Sequence, residues 1–475
     1  MSLKEKAIRG IKWTALSTVV GAVVQILKIS ILARFLSPED FGLMALASVV
    51  IGFMQVFADG GVSNAIIYRQ DITEKQLSSL YWFNIFVGFI LFLVILGITP
   101  FFSSFYSEKE LNVIIPIVGL TVFLQSFSFQ FKALFEKKLL FNTVAKIEII
   151  SRVVSLIVAV LLAYEGFGVY ALVYSLVVMV FLETVLFVLK GISIHRPSFF
   201  FSFKEILFFV KFGLFQLGER ITNYFSSQLD ILLIGKLLGT ESVGIYSVVK
   251  QIVMRPAYLI NPIVTRITFP VMSKFQDDIQ KLREIYLKTV GYVSSVNFPV
   301  YTGIIVLAPW IIEVLLGEEW KKSILIFQLL SVYFMFRAVG NPVGSLILAR
   351  GRPDIEFYWN LVMLIYIPSW IFIGSFYGLG GVALALAVSH ILLVTIDWFF
   401  LVKRMCGASF IEYHEKVAVP LAVSLVSGIT AYYLLKFLPD IYGVITALSV
   451  GLFLYILLTF LTNRDFGQFL KHIFH

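Results

Sequence analysis

The chain has 475 residues, of which 59% are hydrophobic and only 14% are charged, and its mean hydropathy is +0.92. These values exclude an ordinary soluble globular domain and indicate a polytopic integral membrane protein. The formal net charge of +9 does not indicate nucleic-acid binding, because the excess lies in loops on one side of the predicted spans.

Apolar segments of membrane-spanning length follow one another along almost the whole chain. Since a span needs about 20 residues, the sequence predicts about fourteen transmembrane helices. No stretch between them is long enough for a separate soluble catalytic domain. In chain order, the approximate spans are 13–35, 41–63, 80–100, 112–133, 144–163, 168–189, 206–229, 242–268, 287–309, 323–346, 357–376, 379–401, 417–436 and 441–461.

The basic residues of the loops predict the orientation. With a cytoplasmic N-terminus, the inner segments carry Lys4, Lys6, Arg9, Lys12, Arg69, Lys75, Lys132, Lys137, Lys138, Lys146, Lys190, Arg196, Lys204, Lys211, Lys274, Lys281, Arg283, Lys288, Arg350, Arg352, Lys403, Arg404, Lys416, Arg464 and Lys471. The outer segments carry only Arg34, Lys109, Lys236, Lys321, Lys322 and Lys436. This contrast of about fourfold follows the positive-inside rule, so both termini are predicted to face the cytoplasm.

A strip of sequence near the start of the chain recurs near its middle. Residues Arg34–Leu43 align without a gap on Lys236–Ile245, with a shift of 202 residues. A second pair, Gly166–Leu172 and Gly378–Leu384, aligns with a shift of 212 residues. Because an even number of predicted spans separates the copies, the two halves cross the membrane in the same direction. Parallel repeats of this kind are related by an axis along the membrane normal.

The predicted fold class is therefore an all-α polytopic membrane protein with two parallel six-helix repeats. Residues 1–202 are predicted to form an N-terminal lobe and residues 203–404 a C-terminal lobe. Residues 405–475 then supply two appended transmembrane helices and a cytoplasmic tail. This architecture is usual for a transporter whose substrate site lies between the halves.

Charged residues inside the spans indicate where the substrate binds. A charge near the bilayer centre costs about 3 kcal/mol or more unless it faces a cavity or a partner. The leading helices of the two halves carry many charges, with a basic excess, and the appended helices carry almost none. The pattern predicts a net cationic cavity suited to a phosphate or pyrophosphate. The candidate substrate-binding residues are Lys28, Arg34, Arg220, Lys250, Arg255 and Arg337.

Some of these residues have a second interpretation. Arg34 lies near the outer interface, where its side chain could only extend to lipid headgroups. Arg255 precedes Pro256, and Arg337 lies shortly before Pro342; prolines break helices, which favours a functional role for both arginines. Glu148 and Arg152 are four residues apart, which favours a simple structural ion pair.

Four acidic residues are candidates for binding a coupling ion, either Na⁺ or H⁺: Asp59, Glu219, Asp230 and Asp397. The alternative is that they are counter-ions of the basic residues, and the sequence leaves both open. No other cofactor is expected. The single cysteine, Cys406, and five scattered histidines give no metal-binding pattern. The chain lacks a P-loop and the H-E-x-x-H and G-x-S-x-G motifs, so a secondary transporter is predicted rather than an enzyme.

The stretch Ile31–Gly42 resembles the signature of Wzx-type flippases, which belong to the multidrug/oligosaccharidyl-lipid/polysaccharide superfamily. Phe57–Gly61 and Ala65–Ile67 extend this resemblance, and Ala349–Pro353 continues it more weakly. The most similar group is the branch that exports colanic-acid-like and teichuronic-acid-like polymers. The resemblance implies two six-helix lobes with two extra helices.

The resemblance also implies a function. A protein of this kind moves undecaprenyl-pyrophosphate-linked oligosaccharide across the bacterial cytoplasmic (inner) membrane by alternating access, driven by an ion gradient or the membrane potential. The expected partners are this substrate, membrane lipid and polysaccharide polymerase or export machinery, and not nucleic acid. One alternative is an ion-coupled drug exporter, which would favour an acidic cavity. The other is a membrane polysaccharide polymerase or ligase, which would be expected to have a sizeable outer loop.

Overall fold

The structure is a computed structural model that describes residues 3–59, 62–438 and 440–462. Gly60 and Gly61 of the signature and the predicted inner residues Arg464 and Lys471 lie outside these ranges. All regular elements in the described ranges are helices, which confirms the predicted all-α class. The chain divides into two compact units, residues 1–247 (unit 1) and residues 248–475 (unit 2).

Unit 1 contains nine helices in its described part and the start of a tenth. They are α1 (Leu3–Leu32), α2 (Pro38–Asp59), α3 (Val62–Tyr68), α4 (Glu74–Tyr106), α5 (Leu111–Ser126), α6 (Phe129–Lys137), α7 (Phe141–Tyr164), α8 (Val169–Gly191), α9 (Phe203–Leu238) and α10 (Thr240–Val253).

Unit 2 contains the end of α10 and the remaining elements. They are α11 (Arg255–Lys274), α12 (Ile279–Val306), α13 (Ala308–Leu315), a 3₁₀ helix (Glu318–Ser323), α14 (Ile324–Ala349), α15 (Pro353–Ser375), α16 (Gly378–Asp397), a π-helix (Trp398–Val402), α17 (Lys403–Cys406), α18 (Phe410–Phe437) and α19 (Ile441–Thr462). The lobe boundaries drawn from the repeat stay a prediction, because contacts and sequence repeats describe different properties.

The number of membrane spans is lower than fourteen when length and apolar composition decide it. Within the described residues, 10 helices qualify, or up to 12 if each of two bent pairs is one span. These pairs are α5 with α6, bent by 44°, and α12 with α13, bent by 69°. The predicted spans 206–229 and 242–268 fall on α9 and on α10 with α11, whose sequences carry many charges. The predicted count of fourteen is thus not confirmed, although a helix lies at each predicted position.

The two copies of the repeated strip touch each other within unit 1. Gly42 in α2 packs on the carbonyl oxygen of Thr240 at the start of α10, and Gly244 in α10 packs on the carbonyl oxygen of Pro38 at the start of α2. A β-carbon on either glycine would collide with that oxygen. A shift of 202 residues converts Gly42 into Gly244 and Pro38 into Thr240, so the contact is reciprocal. We call these four residues the repeat crossing.

Side chains beside the repeat crossing hold the end of α4 against the end of α9. The hydroxyl of Tyr106 donates a hydrogen bond to the carbonyl oxygen of Leu232 at 3.1 Å. The ammonium group of Lys236 donates to the carbonyl oxygen of Phe105 at 2.7 Å. The second bond satisfies a carbonyl group in the last turn of α4, where intrahelical partners run out.

The last two helices pack on α12 of unit 2. The ring of Tyr413 in α18 lies parallel to that of Tyr286 in α12, with ring centroids 6.4 Å apart and an interplanar angle of 7°. Both rings are fully buried. In α19, the hydroxyl of Tyr455 donates to the carbonyl oxygen of Ser295 in α12. The helices outside the repeat therefore cover one face of a helix inside it.

Candidate transport site

Lys28 lies half-buried in α1, in contact with α7 and α8. Its ammonium group donates hydrogen bonds to the hydroxyls of Ser155 at 3.2 Å and Ser175 at 2.8 Å. The Ser155 hydroxyl in turn donates to the carbonyl oxygen of Ser175. Within the described residues, no carboxylate pairs with this lysine. Because an ammonium has three donors and two are used here, one donor of Lys28 is left for an anion.

A second charged group in unit 1 surrounds Glu148 of α7. Its two carboxylate oxygens accept from Lys132 of α6 at 2.9 Å and from the Ser17 hydroxyl of α1 at 2.8 Å. Arg152 lies 3.5 Å from the same carboxylate, which agrees with the predicted i, i+4 ion pair. Glu183 of α8 lies within electrostatic reach of Lys132. Opposite charges balance in this group, so it favours a structural role over anion binding.

Asp230 is a buried residue of α9 with well-placed partners. Its carboxylate accepts a hydrogen bond of 2.6 Å from the hydroxyl of Tyr246 and one of 2.9 Å from the amide of Ile231. A carboxylate held this way can stay buried as a structural group. This arrangement favours a structural role for Asp230 over coupling-ion binding, although these partners are not the basic residues of the counter-ion alternative.

The predicted helix break beside Arg255 is present, and a tyrosine hydroxyl from another helix bonds to the backbone on both sides of it. Helix α10 ends at Val253 and α11 begins at Arg255. The hydroxyl of Tyr301 in α12 donates to the carbonyl oxygen of Val253 at 3.1 Å and accepts from the amide of Ala257 at 3.3 Å. In an unbroken helix, these two backbone groups would bond to each other. Insertion of a side chain into the ladder is a recognised cause of a kink.

Arg337 in α14 lies near the same tyrosine and is exposed. Its guanidinium donates to the Tyr333 hydroxyl at 3.0 Å and lies 5.8 Å from the centroids of both the Tyr333 and Phe334 rings. Its charge also acts electrostatically on Tyr301 and on the buried His390. Tyr301 therefore bonds to the backbone beside the half-buried Arg255 and also lies within electrostatic reach of the exposed Arg337.

The other basic candidates are Arg34, Arg220 and Lys250. Arg34 is exposed in the turn between α1 and α2, a position that suits the headgroup interpretation. Arg220 is partly exposed in α9, and Lys250 is partly exposed in α10. No observation tests their role in binding, so they stay predictions.

The acidic candidates differ in what can be described. Asp59 ends α2 and Glu219 lies in α9, but their side chains lie outside the described part of the structure. Asp397 is the last residue of α16 and directly precedes the π-helix. Its Oδ1 atom is buried and has no hydrogen-bond partner among the described residues.

Sequence reasoning missed the residues that act through contacts between distant helices. Ser155 and Ser175 carry a weak signal, since they are polar residues within apolar spans. Lys132 was assigned to an inner loop, and Tyr301 was not distinguished from the other aromatic residues. No pattern along the chain indicates which helix will face Lys28 or the break at Arg255.

The comparisons with known proteins agree with the fold. The solved structure of the lipid II flippase MurJ, in an inward closed conformation, superposes with a TM-score of 0.75 at 16% sequence identity, covering 96% of this chain and 99% of that chain. At that identity the likeness concerns the fold alone. It confirms the predicted all-helical fold, which this chain shares with that flippase.

Two curated relatives are similar over most of their length. The lipopolysaccharide biosynthesis protein WzxC of Escherichia coli (strain K12) is 30% identical over 91% of this chain and 88% of its own. The teichuronic acid biosynthesis protein TuaB of Bacillus subtilis (strain 168) is 31% identical over 91% of this chain and 89% of its own. These likenesses confirm the predicted resemblance to Wzx-type exporters. Because residues 31–325 also match the polysaccharide biosynthesis protein family, the chain belongs to that family.

Proposed function

We propose that this protein is a flippase that carries undecaprenyl-pyrophosphate-linked oligosaccharide units from the inner to the outer leaflet of the bacterial cytoplasmic membrane. The exported units would serve surface polysaccharide synthesis. Membership of the family supports transport for polysaccharide biosynthesis, as do the names of the relatives from Escherichia coli and Bacillus subtilis. Both relatives are named as polysaccharide biosynthesis proteins, and the fold that this chain shares with the lipid II flippase favours a transporter over a polymerase or ligase.

The observation that carries the proposal is the state of Lys28. An ammonium group inside a membrane protein, held by two serine hydroxyls and not paired with a carboxylate in the described residues, is costly to keep without a function. A negatively charged substrate would repay that cost by binding to the free donor. A cationic drug would be repelled, so Lys28 supports a pyrophosphate-linked substrate over the drug-exporter alternative.

Arg255 and Arg337 offer a second phosphate-binding surface in unit 2. Guanidinium groups bind phosphate oxygens in pairs through their planar fork of donors. Tyr333 orients the Arg337 guanidinium through a hydrogen bond and a ring face. Aromatic rings next to a phosphate site also suit stacking on the apolar face of a sugar.

Alternating access requires contacts that break and form again. The repeat crossing suits this purpose, because helices in contact through glycines pack closely without interlocking long side chains. With both termini in the cytoplasm, as the basic loops favour, the repeat crossing lies at the outer face. Its opening would then release the substrate outward. The chain has no nucleotide-binding motif, so an Na⁺ or H⁺ gradient or the membrane potential is the expected driving force, and polymerase or export machinery the expected protein partner.

The test uses purified protein in liposomes that carry a fluorescent polyprenyl-pyrophosphate sugar in one leaflet. Wild-type protein should transfer this lipid to the other leaflet, whereas Lys28→Met should slow transfer at least tenfold and Lys28→Arg should retain part of it. The matched control is Lys146→Met, since Lys146 is an exposed residue of α7 beside the Trp13 ring. Failure of the folded wild-type protein to transfer any lipid-linked sugar would refute the proposal. Transfer of a cationic dye instead would support the drug-exporter alternative.

A further inference from the structure

Asp397 lies at an irregular point in an otherwise regular helix. It ends α16, and the next five residues, Trp398–Val402, form a π-helix. Such wide turns inside helices are rare and are frequently found at functional sites. The Oδ2 atom of Asp397 faces Gly340 of α14, 3.3 Å from where a β-carbon on that glycine would lie. A side chain at residue 340 would therefore crowd the carboxylate.

The Asp397 carboxylate has no counter-charge in residues 3–59, 62–438 and 440–462. Its Oδ1 atom is completely buried without a hydrogen-bond partner, and no basic side chain of those ranges forms an ion pair with it. Asp230, by contrast, has a tyrosine hydroxyl and a backbone amide on its oxygens. Asp397 is half-buried as a whole, but an ionised carboxylate with one completely buried and unpartnered oxygen is costly, and such a group tends to be neutral.

Two buried tyrosines lie in the same region of unit 2. The side chains of Tyr286 in α12 and Tyr413 in α18 are completely buried, and their hydroxyls interact with each other. Both lie within electrostatic reach of Asp397. The other titratable groups facing this point are Tyr366 from α15, which also lies within reach of Asp397, and Cys406 from α17, which lies within reach of the two tyrosines.

The buried oxygen of Asp397 that lacks a partner indicates what binds there. A hard metal cation takes about six oxygen ligands, and only one of the side chains Asp397, Tyr286 and Tyr413 is a carboxylate. A proton needs a single oxygen and removes the charge that makes burial costly. Protonation gives the carboxyl a donor of its own.

We propose that Asp397 is a proton-binding site of the transport cycle. The carboxylate takes up one proton to become a neutral carboxylic acid, as in the present conformation, and returns that proton to water in another conformation. This inference rests on the proposed function and makes the coupling ion a proton.

The first test is infrared difference spectroscopy of the full-length protein in lipid, which needs no transport substrate. At neutral pH the wild-type protein should show the carbonyl band of a protonated carboxylic acid. Asp397→Asn should lose this band and Asp397→Glu should keep one, whereas the exposed Asp354 serves as control, with the band unchanged in Asp354→Asn. An ionised carboxylate at neutral pH, or a band that survives Asp397→Asn, would overturn the proposal.

The second test is the liposome assay with an imposed proton gradient. The gradient should accelerate lipid transfer by wild-type protein and by the control Asp354→Asn, whereas Asp397→Asn should lose that acceleration. Acceleration that persists in Asp397→Asn would rule out this site. If the wild-type protein transfers no lipid yet shows the infrared band, the flippase proposal fails and the proton site stands.

Discussion

The repeat crossing makes a sharp prediction for Gly244→Ala. The added methyl group meets the backbone carbonyl of Pro38, which cannot turn aside as a flexible side chain could. Overpacking of this kind costs about 1–3 kcal/mol. The cost applies only while α2 and α10 are in contact, so the variant should favour the conformation in which they part. A shift of that size changes the ratio of closed to open protein by about 5- to 150-fold.

Distances between two spin labels measure this ratio directly. Phe35 and Leu237 are exposed and occupy equivalent positions of the repeated strip, so cysteines there can be labelled on a Cys406→Ser background. Gly244→Ala should increase the population with the longer distance. Gly97→Ala is the matched control, because a β-carbon on Gly97 meets no atom within 4 Å. Identical distance distributions in the wild type and Gly244→Ala would refute the role of the repeat crossing.

Three further predictions concern single side chains. Tyr301→Phe removes the hydroxyl that serves two backbone groups, so the midpoint of thermal unfolding should fall, with a loss of about 1–3 kcal/mol, whereas the exposed Tyr377→Phe should leave it unchanged. Arg220→Ala and Arg255→Ala should each impair lipid transfer in liposomes at normal membrane abundance; full activity of both would contradict their assignment. Burial and three neighbouring carboxylates raise the pKa of Glu110, so its ionised form destabilises the folded protein and stability should grow as the pH falls through that raised pKa. Glu110→Gln should therefore stabilise the protein at neutral pH in chemical unfolding and lose that advantage in acid, and equal stability at both pH values would contradict this reasoning.

Local patterns account for the parts of this protein that the sequence predicts well. Apolar length places a helix at each predicted span, and the proline after Arg255 predicts a break that the structure contains. The repeated strip predicts two similar halves, because it is read directly from residue identities. The number of spans is not confirmed, because α9 is long enough to cross a membrane but carries charges that lower its hydropathy.

The candidate site depends on contacts that no local pattern contains. Glu148 and Arg152 are an evident pair along one helix, but the shorter contact of Glu148 is with Lys132, which lies beyond a bend and on another helix. The sequence likewise placed Asp230 and Asp397 in one group. Only the packing of helices distant in sequence gives the first its tyrosine partner and leaves the second without one.

Tyr301 links three helices, because its hydroxyl on α12 bonds to the end of α10 and to the start of α11. Backbone groups that a helix break frees inside a membrane must find hydrogen-bond partners, and each unmet group costs about 1–3 kcal/mol or more. Here both partners come from one hydroxyl on α12. If α12 moves away, these two backbone groups must either bond to each other in a straight helix or remain without partners. The angle of the kink therefore depends on the position of α12, so the kink is not a freely flexible hinge.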